Sequence, residues 1–403
     1  MKKFFHRKWQ IYIAIIITGI VTFATGWRPM SAIFYALLFS TVIAVFFILR
    51  GTSGLRVNRS NTPARIQSGE TIAESIILEN RSWLPKLWAQ INDDSTLPGH
   101  EKGYVTSIGA RKRIEWRLRT LCSRRGRYQL GPVRITTGDP LGLYQRTQIL
   151  NKSAEILVLP KILPIKDFPL FPGQSIGRGK NQQRTQQVST NVVTLREYLP
   201  GDPLSRIHWP ISVRQSQLMV KEFELDPTID IWLMLDMDEN IQAGEGDIST
   251  VEYSVTITAS LAQYFIRSDL SVGFIINDSQ KTVLPPDRGR RQNNKIMDLL
   301  AIAAPCETMP LKVTLAAVSS ILRRNSSVII VTSSIDLQIT ESAQNIMRHG
   351  VKPYFVALDS ASFMNSGSES EPFLHSLRLS NIPFVHIRKD SDIIHALETG
   401  VLS

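Results

Sequence analysis

The sequence predicts a three-part protein: a pair of membrane helices, a β-sandwich of the immunoglobulin-like kind, and a doubly wound α/β domain. Three observations predict it. Two apolar runs lie within the first 50 residues, short alternating strands with turn signals fill 55–160, and buried-strand patterns alternate with helical ones over 228–403. A chain of 403 residues is long enough for two or three domains, each with its own core.

The apolar runs are Ile11 to about Gly26 (IYIAIIITGIVTFATG) and Ser31 to Leu49 (SAIFYALLFSTVIAVFFIL), within a 1–50 hairpin whose helices cover about 11–26 and 31–49. Each approaches the ~20 residues that cross a bilayer core as a helix. A signal peptide competes for the first run, but a second apolar run follows where soluble sequence would be expected after cleavage. A helical hairpin broken at Gly26-Trp27-Arg28-Pro29 is the favoured reading.

Charge orients this hairpin. Residues 1–59 carry Lys2, Lys3, Arg7, Lys8, Arg28, Arg50, Arg56 and Arg59 and no acid, which is most of the formal net charge of +11. Four of these cations precede the first run, three follow the second, and only Arg28 lies between. The positive-inside rule then puts both ends in the cytoplasm, as a multi-pass membrane protein with cytoplasmic soluble domains. The lipid bilayer is the first expected partner. Beyond residue 59, 38 basic residues face 35 acidic ones, so the basicity is local and nucleic acid is not expected as a partner. Cys122 and Cys306 are expected as reduced thiols.

Over 55–160 the segments ETIAESIILEN, LWAQIND, RKRIEWRLRTL, GPVRITT and AEILVLP read as strands. Ile114, Trp116 and Leu118 alternate with Arg113, Glu115, Arg117 and Arg119, which makes one face apolar and one basic. Gly126, Gly131, Gly138 and Gly142, with Pro132 and Pro140, supply turns. Repeated short strands without helical periods imply the β-sandwich.

Residues 161–227 form a linker and a dense polar segment. Gly177-Arg178-Gly179-Lys180 lacks the spacing and following Ser or Thr of a phosphate loop and reads as a basic loop. LREYLPGDPLSRIHWPISVRQSQLMVKEFE, 195–224, nearly matches its acids and bases, as ion-pair networks do. Asp202-Pro203 predicts a helix start running to about Trp209, with His208 beside Leu204 and Ile207. LMVKEFEL predicts a strand after Pro210. The segment reads as an inter-domain clamp, with a partner surface and catalysis as the competing readings.

From 228 onward IDIWLMLD, SVGFIIN, SVIIVTS, KPYFVALD and IPFVHI alternate with helical stretches at about 250–267, 290–303, 313–324, 339–348 and 391–398. This alternation implies a parallel sheet covered by helices on both faces. Ligands of such sheets sit at the carboxyl ends of strands, here the loop Asp236-Met237-Asp238-Glu239-Asn240. Asp236, Asp238 and Asn240 alternate and can turn oxygen atoms to one side, the chemistry of Mg2+ or another divalent cation. An acidic loop that is merely solvated or caps the next helix is the competing reading. Ser333, Ser334 and Asp336 after SVIIVT could complete such a site, with Thr308 a weaker candidate. No His-Glu-x-x-His or Cys-x-x-Cys is present, and no nucleophilic constellation stands out.

The signature residues Arg196, Glu197, Tyr198, Gly201, Asp202, Arg206, His208, Trp209, Arg214, Lys221 and Glu222 resemble those of bacterial membrane proteins catalogued as domain of unknown function fifty-eight. Arg125-Gly-x-Tyr128-x-x-Gly-Pro132 and Asp139-Pro-Leu-Gly-Leu-Tyr144 fit the same family. The resemblance implies a von Willebrand factor A-like α/β domain, and a gene often found beside a MoxR-type AAA+ ATPase and sometimes a transglutaminase-like membrane protein. In adhesive von Willebrand A domains an Asp-x-Ser-x-Ser motif, a Thr and an Asp hold a divalent ion. Asp236 matches its first position, Asp238 and Asn240 replace the serines, and Ser333 stands where the Asp after the fourth strand is expected, with Asp336 three residues on. The expected function is a non-enzymatic, membrane-anchored scaffold or adaptor for a protein partner, such as the AAA+ ATPase. A metal-dependent hydrolase using the acidic loop is the alternative.

Overall fold

The structure is a computed structural model. It describes residues 2–60, 62–150, 153–169, 192–198, 207–223, 230–278, 282–307, 309–364 and 370–400. The chain divides into two compact units, Met1–Lys161 with Asp298–Ile302, and Ile162–Met297 with Ala303–Ser403.

The first unit opens with two helices, α1 (Lys2–Thr25) and α2 (Arg28–Gly51). Gly26, at φ +60, breaks the chain between them. The break is shorter than the sequence suggested, because Pro29 lies in the first turn of α2, where a missing N–H costs nothing. The 24-residue α2 is long and apolar enough to cross a membrane, while the apolar part of α1, Trp9–Thr25, is shorter.

Among the described residues ten strands follow: β1 (Leu55–Ser60), β2 (Arg65–Gln67), β3 (Thr71–Asn80), β4 (Lys86–Asp93), β5 (Gly103–Ile108), β6 (Arg113–Leu121), β7 (Gly126–Leu130), β8 (Val133–Gly138), β9 (Gln145–Ile149) and β10 (Ala154–Leu159). They form an antiparallel sheet β1-β3-β6, an antiparallel sheet β5-β4-β8-β9 and a small sheet β2-β10-β7. The first two share a core of Leu55, Val57, Ile76, Leu78, Leu118, Ala89, Ile91, Ile108, Val133 and Ile135. Period-2 alternation produces it, since every second residue of β1, β3 and β4 turns inward. The small sheet closes its own core of Ile66, Ile72, Leu97, Cys122, Leu130, Ile156 and Val158.

In the second unit, β11 (Val192–Glu197) pairs antiparallel with β12 (Met219–Phe223), and α3 (Trp209–Gln215) precedes β12. Of the helix expected from Pro203 to Trp209, Pro203 to Arg206 lie outside the described residues, while Ile207 forms a bridge to Val220 and His208 is not helical. The described helix starts at Trp209, carries Pro210 in its first turn, and is capped by His208, whose Nδ1 accepts a hydrogen bond from Ile211 N at 3.3 Å. The linker expectation for 161–227 also changes at its start. Leu163 N donates to Ser260 Oγ at 2.9 Å, and the buried Phe168 ring packs 5.8 Å from Phe265 and 5.0 Å from Tyr354. The apolar residues among polar neighbours in this stretch thus belong to the unit that follows them.

The body of this unit comprises β13 (Asp230–Asp236), the short pair β14 (Gly244–Glu245) and β15 (Ile248–Ser249), α4 (Thr250–Arg267), β16 (Ser271–Asn277), β17 (Val283–Asp287), α5 (Gly289–Ile302, of which Asp298–Ile302 count with the first unit), α6 (Leu311–Val318), β18 (Ser327–Thr332), α7 (Gln338–Arg348), β19 (Lys352–Leu358), α8 (Ser360–Phe363), α9 (Glu371–Leu379), β20 (Phe384–Ile387) and α10 (Ile393–Thr399). The sheet order is β17-β16-β13-β18-β19-β20, parallel except for β17. Pro285 and Pro286 hid β17 from sequence reasoning, yet an edge strand tolerates proline. α6, α7 and α9 bury Leu315, Ile339, Ala343, Phe373 and Leu377 against Met234, Ile330 and Phe355 on one sheet face. Gly273 is required there: an added Cβ would lie 2.6 Å from the ring of its cross-strand neighbour Trp232.

Candidate functional site at the strand ends

The strand order reverses between β13 and β18, so the crevice at their carboxyl ends is the place where such sheets bind ligands. Asp236 ends β13 there, 1% exposed. Its Oδ1 accepts from Asn277 Nδ2 at 3.0 Å and from Asp238 N at 3.5 Å, and its Oδ2 accepts from Thr332 Oγ1 at 2.8 Å. Asn277, at the end of β16, also donates to Met309 O at 3.1 Å and accepts from Thr314 Oγ1 at 2.9 Å. Three strand ends and the start of α6 are thereby tied to one carboxylate. Burial pushes the Asp236 carboxyl above the usual carboxylate range, against the opposing pull of the Asn277 and Thr332 hydrogen bonds.

The other expected site residues turn elsewhere. Asp238 Oδ1 accepts from Asn240 N at 3.1 Å and Asn240 Nδ2 at 2.9 Å, which caps a single 3-10 turn. Asp336 Oδ1 accepts from Gln338 N at 3.0 Å, and its Oδ2 lies 3.5 Å from Lys312 Nζ. Ser333 is buried with its hydroxyl unpaired, and Ser334 N donates to Thr332 Oγ1 at 3.0 Å. Thr308 lies outside the described residues. Asp236, Asp238 and Asp336 therefore do not present a joint set of free carboxylate oxygens. The sequence missed Asn277 and Thr332, although each is a polar residue closing an otherwise apolar strand.

Of the signature segment, Glu197 pairs with Met219 and Arg196 with Val220 across β11 and β12, and Tyr198 N donates to Leu218 O at 2.8 Å. Lys221 and Glu222 lie on β12, Arg214 in the last turn of α3, and Trp209 is exposed. Gly201, Asp202 and Arg206 lie outside the described residues, as do Gly177 to Lys180 and much of the segment to which the clamp reading applies.

Among the described residues, the group of three or more His, Cys, Asp or Glu whose ligand atoms converge within 4.8 Å is elsewhere, at Glu74, Asp93 and His100. Arg59 Nη2 is paired with Asp93 Oδ2, and Arg59 Nε lies 3.4 Å from Glu74 Oε2. The His100 ring bridges Asp93 Oδ2, at 2.9 Å from Nε2, and Thr120 Oγ1, at 3.1 Å from Nδ1. Burial pushes the Glu74 carboxyl up, although Arg59 pulls it down. Two carboxylates face one guanidinium, so a single proton on Glu74 makes the group neutral. A divalent ion would overshoot by one charge beside Arg59, and the donor set does not fit one. Asp93, His100 and Thr120 line up like a nucleophile relay, but Thr120 is 2% exposed and no substrate reaches it. The sequence held a signal for this group: Arg59, Glu74 and Asp93 occupy the inward register of Leu55 and Val57, Ile72 and Ile76, and Ala89 and Ile91.

These features define a protein of mixed α/β sheets with apolar N-terminal helices and a structural acid at its topological switch point. Residues 194–357 match the family model described as Protein of unknown function DUF58. A Bacillus subtilis (strain 168) protein, Uncharacterized protein YeaD, is 24% identical over 317 residues, which span 74% of this chain and 77% of that one. Among solved structures, the CARDB domain of the PF1109 protein from Pyrococcus furiosus aligns over 26% of this chain and 91% of its own, at 11% identity and a TM-score of 0.21. Proximal thread matrix protein 1 from the mussel byssus aligns over 38% and 44%, at 12% identity and a TM-score of 0.25.

Proposed function

We propose that the chain is a non-enzymatic scaffold of the DUF58 family, anchored in the bacterial cytoplasmic membrane by both N-terminal helices with its soluble units in the cytoplasm. In this reading the β-strand unit is an immunoglobulin-like sandwich. The α/β unit is von Willebrand A-like, and its strand-end face binds a protein partner, a MoxR-type AAA+ ATPase. The observation that carries the reading is the combination at the switch point: its central acid is tied up in structural hydrogen bonds, while the loops around it expose large apolar side chains. Met309 is 51% exposed, Leu337 51% and Ile335 39%, and the Lys312–Asp336 pair links the first turn of α6, just after Met309, to the loop that carries Ile335 and Leu337. Exposed apolar groups at a ligand-binding edge suit a protein surface better than a small polar substrate.

The test is co-purification of a MoxR-type AAA+ ATPase with the tagged full chain from detergent-solubilised membranes. Capture is expected with the wild type, with or without chelator, and is expected to be lost in the Met309→Ser, Leu337→Ser double variant. Capture that survives the double variant sinks the docking face, and capture lost on chelation alone restores a bridging divalent cation. The alternative, a divalent-metal-dependent hydrolase at the same loop, requires turnover that is abolished by chelator.

A further inference from the structure

The first unit holds the end of α2 with its own side chains. Lys86 Nζ donates to Arg50 O at 2.7 Å, which Ser53 N and Oγ also reach, and Arg146 Nη1 donates to Leu49 O at 3.2 Å, so two cations bind carbonyls of the last helical turn. Gly51 fits so closely that an added Cβ would lie 2.7 Å from Thr137 Oγ1. Only residues 52–54 separate α2 from β1, and Gly54 O accepts from Arg81 N at 2.8 Å. The helix therefore runs into the β-strand unit without a linker, and two turns of that unit, 81–87 and 139–144, flank its end.

Both turns carry exposed apolar side chains, Trp83 at 63%, Leu87 at 54% and Leu141 at 49%. The second turn is rigid, since both Asp139 carboxylate oxygens accept backbone N–H groups, from Leu141 at 2.9 Å and from Tyr144 at 2.5 Å. Tyr144 OH is hydrogen-bonded to Tyr12 OH, and Tyr12 lies inside the apolar run of α1. If that run is in the bilayer, this turn meets the lipid surface. Trp and Tyr favour that zone, and the exposed Arg50 and Arg146 beside it complement anionic headgroups, while the nearby Asp139 carboxylate is turned into its own loop.

Resting on the membrane reading of the helices, we propose that the 81–87 and 139–144 turns form an interfacial footing. Trp83 and Leu141 lie in the headgroup zone of the bilayer, and Arg50 and Arg146 face anionic lipid phosphates. The footing fixes the β-strand unit against the membrane instead of leaving it on a tether.

The test uses the full chain in a Cys306→Ser background, the remaining Cys122 being buried, reconstituted in vesicles of phosphatidylcholine and phosphatidylglycerol. An environment-sensitive fluorophore is attached at Trp83→Cys, Leu141→Cys, Phe39→Cys or Glu101→Cys, and spin-labelled lipids serve as quenchers. Phe39 lies within α2, and Glu101 follows the end of β4 opposite Lys86, on the order of 25 Å along the strand. The labels at 83 and 141 should shift to the blue and lose emission to a headgroup-proximal quencher, the label at 39 to a deep quencher, and the label at 101 to neither. Omitting phosphatidylglycerol should weaken quenching at 83 and 141 but not at 39. Labels at 83 and 141 that behave like 101 while 39 is quenched overturn the footing alone. An unquenched label at 39 overturns the membrane reading and the footing with it, and no dependence on phosphatidylglycerol overturns the anionic contact.

Discussion

In the β-strand unit Glu74 and Asp93 are buried beside a guanidinium and an imidazole, whereas in the α/β unit Asp236 is buried among an amide and a hydroxyl. Charge answers charge in the first case, and neutral dipoles answer charge in the second. The difference shows that an acid in a strand-end loop and an acid inside a sheet pair can both be structural. It also shows that their failure modes differ, because a lost cation strands a charge while a lost carboxylate strands only donors.

The largest effect is expected from Arg59→Ala, which leaves two buried carboxylates facing no guanidinium and should cost about 3–5 kcal/mol. Denaturant unfolding of the detergent-solubilised chain measures it. A cost under about 1 kcal/mol, typical of exposed pairs, would erase the contrast between the units. Asp236→Ala should cost less, about 1–3 kcal/mol, since it leaves the Asn277 amide and the Thr332 hydroxyl without their acceptor. If instead it matches Arg59→Ala, the contrast between a charged and a neutral set of partners fails.

Glu74→Gln sharpens the comparison through pH. The folded-state carboxyl of Glu74 is raised by burial, so its stabilising contribution is complete below the unfolded value of about 4.3 and is lost as pH rises through the folded value. Glutamine cannot lose that proton. Unfolding free energies of variant and wild type, from denaturant titrations, should therefore be closest in acid and diverge in favour of the variant as pH rises, by no more than about 1.4 kcal/mol per pH unit. A constant difference across pH would mean that the fold leaves the proton affinity of Glu74 unchanged. The smallest effect belongs to Asp336→Asn, whose partner Lys312 and own side chain are both more than a third exposed, 35% and 39%, and which should cost less than about 1 kcal/mol in the same unfolding assay.

Much of the fold was legible because burial writes itself into periodicity. IDIWLMLD, SVGFIIN, SVIIVTS and KPYFVALD became β13, β16, β18 and β19, and the helical stretch at 250–267 became α4. The strand β9 was less legible, since all five of its residues are exposed and no alternation marks it. α9 follows the Ser- and Gly-rich stretch 365–370, whose composition reads as loop. The candidate site was legible in place but not in chemistry: the acidic loop does follow the first strand at the switch point. Spacing alone could not show that Asn277, 41 residues on, and Thr332, 96 residues on, would take up both oxygens of Asp236.

By itself, the sequence determined the apolar helices, the buried faces of the strands and the position of Asp236, because hydrophobic spacing and turn chemistry act over a few residues and need no partner from afar. Only the tertiary structure decided what each acid does. The state of a buried carboxylate depends on which donors and cations reach it, and those of Glu74, Asp93 and Asp236 come from strands and loops distant in the chain.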